Sequence, residues 1–337
     1  MPPLWRLPLL VLGFVSLAFG VAGGLARLSP SLGVAPAAIA LHGPLMVSAF
    51  FGTLIALERA VALNRLWAYA APLSAGLGGV LLLLGFPVAG FALMSFGAAV
   101  FCAACAVIVA SQPSVEMGTL LAGGIAWLAG NLLLAFGLAA VPWWIAFFAL
   151  TIGGERLELS RYLKRGLWVR RSFMALASGV FLAPLFPRVL GAMLLMLALW
   201  LIAFDLARVT IRQQRLPRYV AACLLAGYFW LATGGALIAA ATGYDAALHS
   251  IFVGFVFSMV FGHAPVILPA VLRVRFPYSP ALYAPLALLH ASLALRVAGS
   301  FIPEGSWLLR AGAWGNAAAI ALFVVSAVAL VLARRKS

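Results

Sequence analysis

The sequence predicts an all-α integral membrane protein, and three observations predict it. The 337 residues are 66% hydrophobic and 9% charged, with a mean hydropathy of +1.15. That lies far outside the composition of soluble domains. Apolar runs of about 20 residues, the length of a transmembrane helix, recur along the chain. They fall at about twelve places, near 7–26, 36–57, 68–86, 88–110, 117–139, 141–157, 172–187, 189–207, 218–241, 246–268, 279–301 and 307–332. The connections are short and leave no room for a soluble domain, so residues 1–337 read as a single polytopic membrane domain.

The third observation is where the charge sits. The formal net charge is +15. All but Arg27, Arg188, Arg296 and Arg310 of the 22 basic residues fall on one side of the predicted spans: the N-terminus, the C-terminus and alternate loops. The positive-inside rule then expects both termini in the cytoplasm. A nucleic-acid surface would gather these residues on one folded face. Here they alternate with spans, so the expected partner is the lipid bilayer and no nucleic acid.

Taken in order, the first span, Leu7 to Ala26, has Ser16 as its single polar side chain. It is too long for the apolar core of a signal peptide and lacks a convincing cleavage site. The second opens at Pro36, a residue suited to a first helical turn. Pro44 is expected to kink it beside His42, and Glu58–Arg59 to close it. The third to fifth are rich in Gly, Ala and Leu. Trp127 and Asn131 share a face of the fifth, and Asn131 is expected to serve as polar glue between helices. Arg156 to Arg171 form the longest polar connection, a basic surface that can touch anionic lipid. Asp205, ending the eighth span, is expected to pair with Arg208 or Arg212. Pro265 and Pro269 are expected to break the tenth near the cytoplasmic face.

Cys102, Cys105 and Cys223 all fall inside spans. The C-x-x-C pair lies on one helix face, where small residues allow close packing. A metal or redox role is the alternative. No disulfide framework is implied.

The sixth span repeats the second. Ala49-Phe50-Phe51, Ile55 and Glu58-Arg59 match Ala146-Phe147-Phe148, Ile152 and Glu155-Arg156 at one constant offset of 97 residues, 49 to 146. A fainter third copy aligns Phe255, Gly262 and His263 with Phe147, Gly154 and Glu155. Three four-helix units, 1–110, 111–212 and 213–337, would place Glu58, Glu155 and His263 at equivalent positions.

Histidine inside an apolar span marks a functional site by default, and the chain has four histidines. His249 and His263 share the stretch Leu248–Leu272. At about 1.5 Å per residue they stand roughly 21 Å apart along a helix, too far to share one ion. His42 and His249 each follow a leucine in the outer part of their spans, which run in the same direction. Two imidazoles at one depth, with Phe50 and Phe252 nearby, suit the two faces of a buried haem. The bland alternative is two separate histidines, each bonded to a backbone carbonyl or lining a water cavity. His263 and His290 lie on antiparallel neighbours. With Glu58 or Glu155 they suit a metal ion such as copper or iron, or a proton relay. Otherwise the Glu–Arg pairs are interfacial ion pairs and His290 packs in the core.

Three stretches carry a family resemblance: ALHSIFVGFVFSMVFGHAPVI, TIGGERLELSRYLKRG and LHGPLMVSAFFGTLIAL. The chain resembles the NnrS-type membrane haem proteins and, more remotely, subunit I of haem–copper oxidases. The resemblance implies three four-helix arcs, a bacterial inner-membrane location and a link to nitric-oxide stress or respiratory metabolism. It extends to respiratory-chain components as partners. It carries over to His42 and His249 as haem ligands, and to His263 less directly. The chain departs from the family where a His-x-His-Glu group stands on helix two, since only His42 is present. Four histidines also cannot supply an oxidase's full ligand set. The implied protein therefore binds haem without an implied reductase activity. A secondary transporter of a small solute or ion, or an assembly factor or subunit of a respiratory complex, are the rival expectations. The transporter would have spans interrupted near the midplane.

Overall fold

A backbone in hydrocarbon finds no water to bond, so each span closes its hydrogen bonds internally as a helix. The computed structural model describes residues 3–160, 166–303 and 306–333, and among these there is no strand. The main helices are α1 (Leu7–Ala26), α2 (His42–Leu63), α3 (Leu66–Leu83), α4 (Pro87–Ser111), α5 (Val115–Ala135) and α6 (Val141–Leu159). They continue as α7 (Leu167–Leu182), α8 (Pro187–Phe204), α9 (Arg215–Ala239), α10 (Tyr244–Leu272), α11 (Pro280–Gly299) and α12 (Ser306–Ala333). Ten of the twelve are long and apolar enough to cross a membrane. The other two are α6, which ends in Glu155, Arg156 and Glu158, and the 16-residue α7. The protein is an all-α polytopic membrane protein.

Helix ends depart from expectation in three places. α2 runs through Glu58–Arg59 to Leu63, and Asn64 ends it in the left-handed conformation (φ 52°). α7 begins five residues before the apolar run and takes in Arg170 and Arg171, both exposed. Arginine stems can lie along a helix while the guanidinium reaches water. α10 is not broken by Pro265 or Pro269; it continues to Leu272, where Arg273 turns left-handed (φ 54°). A proline removes one N–H and crowds one carbonyl, and packed neighbours in a membrane protein tolerate that.

Contacts divide the chain into two compact units, Met1–Thr151 and Ile152–Ser337, with the boundary inside α6. In the first, α1 packs on α2 and α3, α3 on α4, and α4 on α5. The α3–α4 contact is close because a Cβ on Gly78 would meet the Gly90 carbonyl oxygen at 2.8 Å, and one on Gly90 would meet that of Gly78 at 2.9 Å. Small residues at a helix crossing are the usual membrane solution. The repeated aromatic motif meets itself here: Phe51 and Phe148 are edge-on at 5.1 Å, and Trp127 stacks on Phe147 at 5.3 Å.

In the second unit α7 packs on α8, α8 on α9, α9 on α10, and α11 on α12. Gly191 and Gly235 repeat the reciprocal approach: a Cβ on Gly191 would meet the Gly235 carbonyl oxygen at 2.6 Å, and one on Gly235 would meet that of Gly191 at 2.8 Å. Gly312 does the same for α11 and α12, where a Cβ would meet the Arg296 nitrogen at 2.5 Å.

Candidate functional site

α2 and α10 share an unusual design. Each begins with a histidine near its N-terminus and then widens into a π-helical segment: Leu45–Phe51 after His42, and Ser250–Phe257 after His249. π turns are rare and gather at functional sites. All four histidines lie in or beside such helices or against them, and each has a defined bond.

His42 belongs to the first unit. Its Nδ1 lies 2.6 Å from the Gly20 carbonyl of α1. A carbonyl oxygen only accepts, so Nδ1 carries the hydrogen and the ring's lone pair is on Nε2. α1 makes room for the ring: a Cβ on Gly24 would stand 2.8 Å from its Cε1, and one on Gly23 would meet the Ala38 oxygen at 2.1 Å. Pro44, two residues on, has no N–H to offer the Ala40 carbonyl four residues back. Arg27 replaces it, donating from Nη2 to Ala40 at 3.2 Å and from Nε to Ile39 at 2.9 Å. The break that Pro44 introduces is thus held from α1's C-terminus, beside His42.

His249 belongs to the second unit, in the first turns of α10. Its Nδ1–H donates to the Asp245 backbone oxygen at 2.8 Å and stands 3.2 Å from the Asp245 carboxylate. The same carboxylate accepts two bonds from Arg296 of α11, at 2.9 Å each. His249 keeps 20% of its side chain exposed and Asp245 39%. The α10 N-terminus is fixed by Gly243, left-handed (φ 57°) and pressed by Phe301, where a Cβ would meet Cζ at 2.4 Å. Only glycine serves that position.

His263 and His290 are set in opposite tautomers. His263 donates from Nδ1 to the Met259 carbonyl at 2.8 Å, and its Nε2 lone pair is buried with no hydrogen-bond partner. It lies in the field of the Arg156–Asp205 pair. His290 accepts at Nδ1 from the Trp230 indole at 2.9 Å and lies parallel to it, so its hydrogen is on Nε2. Its lone pair is already spent on an indole rather than offered to an ion. Glu58 is half-buried beside Arg59 in the first unit, and Glu155 is half-buried in the second. Among the described residues, no group of three His, Cys, Asp or Glu is placed to hold a metal ion.

Other polar side chains find partners that the sequence hides. Asn131 is the glue expected: its Oδ1 accepts from Ser48 at 2.5 Å and from Trp144 at 3.1 Å, and its Nδ2 donates to the Met94 carbonyl at 3.2 Å. Trp127 donates to Ser48 at 3.2 Å. Asp205 does not pair with Arg208 or Arg212. Arg156 holds it bidentately at 2.8 and 3.0 Å, while Arg208 bonds the Ala203 carbonyl. Asp205 is 1% exposed, and a buried carboxylate takes the planar fork that lies within the core over mobile arginines at the surface. Asp245 and Arg296 were not legible as a pair. Arg296 reads as one of four basic residues on the sparse side, and no short spacing joins it to Asp245.

A family model covers residues 6–332, and the chain belongs to that family, described as a domain of unknown function, DUF8744. No curated protein and no solved structure matches the chain.

Proposed function

We propose that this DUF8744 chain is a membrane protein that binds haem through the imidazoles of His42 and His249. One observation carries the reading. Both rings commit Nδ1–H to a backbone oxygen, His42 to Gly20 and His249 to Asp245. Ligating histidines characteristically donate their other ring N–H in this way, which fixes the tautomer and turns Nε2 toward the metal. Each ring by itself thus has the tautomer that an iron-ligating imidazole needs, and each sits at the start of a π-helical segment.

Haem held by both imidazoles would supply an iron centre for electron transfer. The chain's own part is to orient each imidazole through its Nδ1–H bond. The resemblance to NnrS-type proteins extends the proposal to nitric-oxide or respiratory metabolism. The distribution of basic residues supports an inner-membrane placement with both termini in the cytoplasm.

The test is the visible absorption of the protein purified in detergent. A Soret band is expected in the wild type, lost or shifted in His42→Ala and in His249→Ala. A structural pair of histidines would leave the protein colourless, and unchanged spectra in both variants would reject these ligands.

A further inference from the structure

We infer that Asp245 is a positioning residue for His249, and that Arg296 is the clamp that holds Asp245 in place. The inference rests on the haem reading for its purpose, and on the observed hydrogen bonds of Asp245 for its substance.

Asp245 and His249 are four residues apart on α10, hence on one face, in the first two turns. The His249 Nδ1–H faces two acceptors of the same residue, the backbone oxygen at 2.8 Å and the carboxylate at 3.2 Å. The backbone oxygen alone would set the tautomer. The carboxylate adds a negative charge next to the ring, which strengthens the imidazole as a donor at Nε2.

An exposed carboxylate rarely holds one rotamer without help, and isolated surface ion pairs give little order. Here Arg296 supplies a rigid partner. Its guanidinium takes both carboxylate oxygens at 2.9 Å in a planar fork. Arg296 is itself 9% exposed, which is costly for a cation at the end of an apolar helix unless it is paired. Its backbone is clamped by α12, whose Gly312 leaves no space for a side chain against it. The order of support is α12 to Arg296, Arg296 to Asp245, Asp245 to His249.

Asp245→Asn separates charge from orientation, because the backbone oxygen and the side-chain shape remain. The expected result is a low-spin haem spectrum that persists, with a reduction potential shifted to more positive values. Haem retention should weaken by about 10–100-fold, as for other outer-shell partners of metal-bound histidine. An unchanged potential in Asp245→Asn would overturn the inference, whereas a loss of fold alone would not move the potential of the haem that remains.

A second readout works on the protein without haem. With histidine labelled in nitrogen-15, the His249 resonances are those lost in His249→Ala. The expected result is a hydrogen on Nδ1, a bare Nε2, and an Nδ1 resonance that moves in Asp245→Asn. A bare Nδ1, or no movement, would overturn the positioning role. A wild type that binds no haem, with these resonances as expected, would reject the haem reading and leave the pairing standing.

Discussion

Arg156 and Asp205 are joined by two hydrogen bonds at 2.8 and 3.0 Å, with side chains 5% and 0% exposed. The Asp205 carboxylate also accepts from the Ala207 N–H at 2.6 Å, so it closes α8 and starts the next turn. Losing one partner leaves the other charge buried and unpaired, which costs about 3–5 kcal/mol. Arg156→Met and Asp205→Asn should each lower the unfolding temperature in detergent strongly. The double variant Arg156→Met with Asp205→Leu should recover much of that loss. Equal effects that simply add would show that the two residues act independently.

Asn131 should be the next most sensitive polar residue. Asn131→Leu leaves the Ser48 O–H and the Trp144 indole N–H without their acceptor, and takes one donor from the Met94 carbonyl. Each buried orphan costs about 1–3 kcal/mol. Trp127→Phe keeps the stack on Phe147 and loses one bond to Ser48, so about 1 kcal/mol is expected. Thermal unfolding of the two variants side by side checks the ranking, and a milder effect for Asn131→Leu would contradict it.

Much of the fold was legible because apolar span length is a strong signal. The first helix, Leu7–Ala26, ends where the sequence places it, and Asn131 is glue for the reason its burial gives. The π segments were not legible. They shift a hydrogen-bond register without changing composition, and Leu45–Phe51 reads like any apolar run. Proline misled in α10, where packing outweighs the lost N–H of Pro265 and Pro269. Ion pairs misled for a different reason. Arg156 and Asp205 are 49 residues apart in sequence, as Asp245 and Arg296 are 51 apart, and spacing at that range carries no information about contact. The tautomers of His263 and His290 follow from Met259 and Trp230, which only the fold brings to them.

The space that α1 leaves for His42 gives a third prediction. A Cβ at Gly24 would meet the ring at 2.8–2.9 Å, while one at Gly118 meets nothing within 4 Å. Gly24→Ala should therefore displace the His42 ring and alter any haem spectrum. Gly118→Ala should leave the spectrum unchanged and stabilise α5 by about 0.5–1 kcal/mol, the helix preference for Ala over Gly. Spectra and melting curves of both variants decide it; a Gly24→Ala spectrum like the wild type would contradict the packing argument.

Topology is the fourth. The side rich in Arg and Lys should face the cytoplasm, so a reporter fused at the C-terminus and one inserted at Thr242 should give opposite signals. The same signal from both would reject the orientation.

The haem reading is tested most directly by the pyridine haemochrome of the wild-type protein, purified in mild detergent and measured against protein concentration. The account predicts haem in stoichiometric amount, held through His42 and His249 and depleted when either is replaced by Ala. Protein that is folded, monodisperse and free of haem, even after expression with added haem precursor, would contradict it.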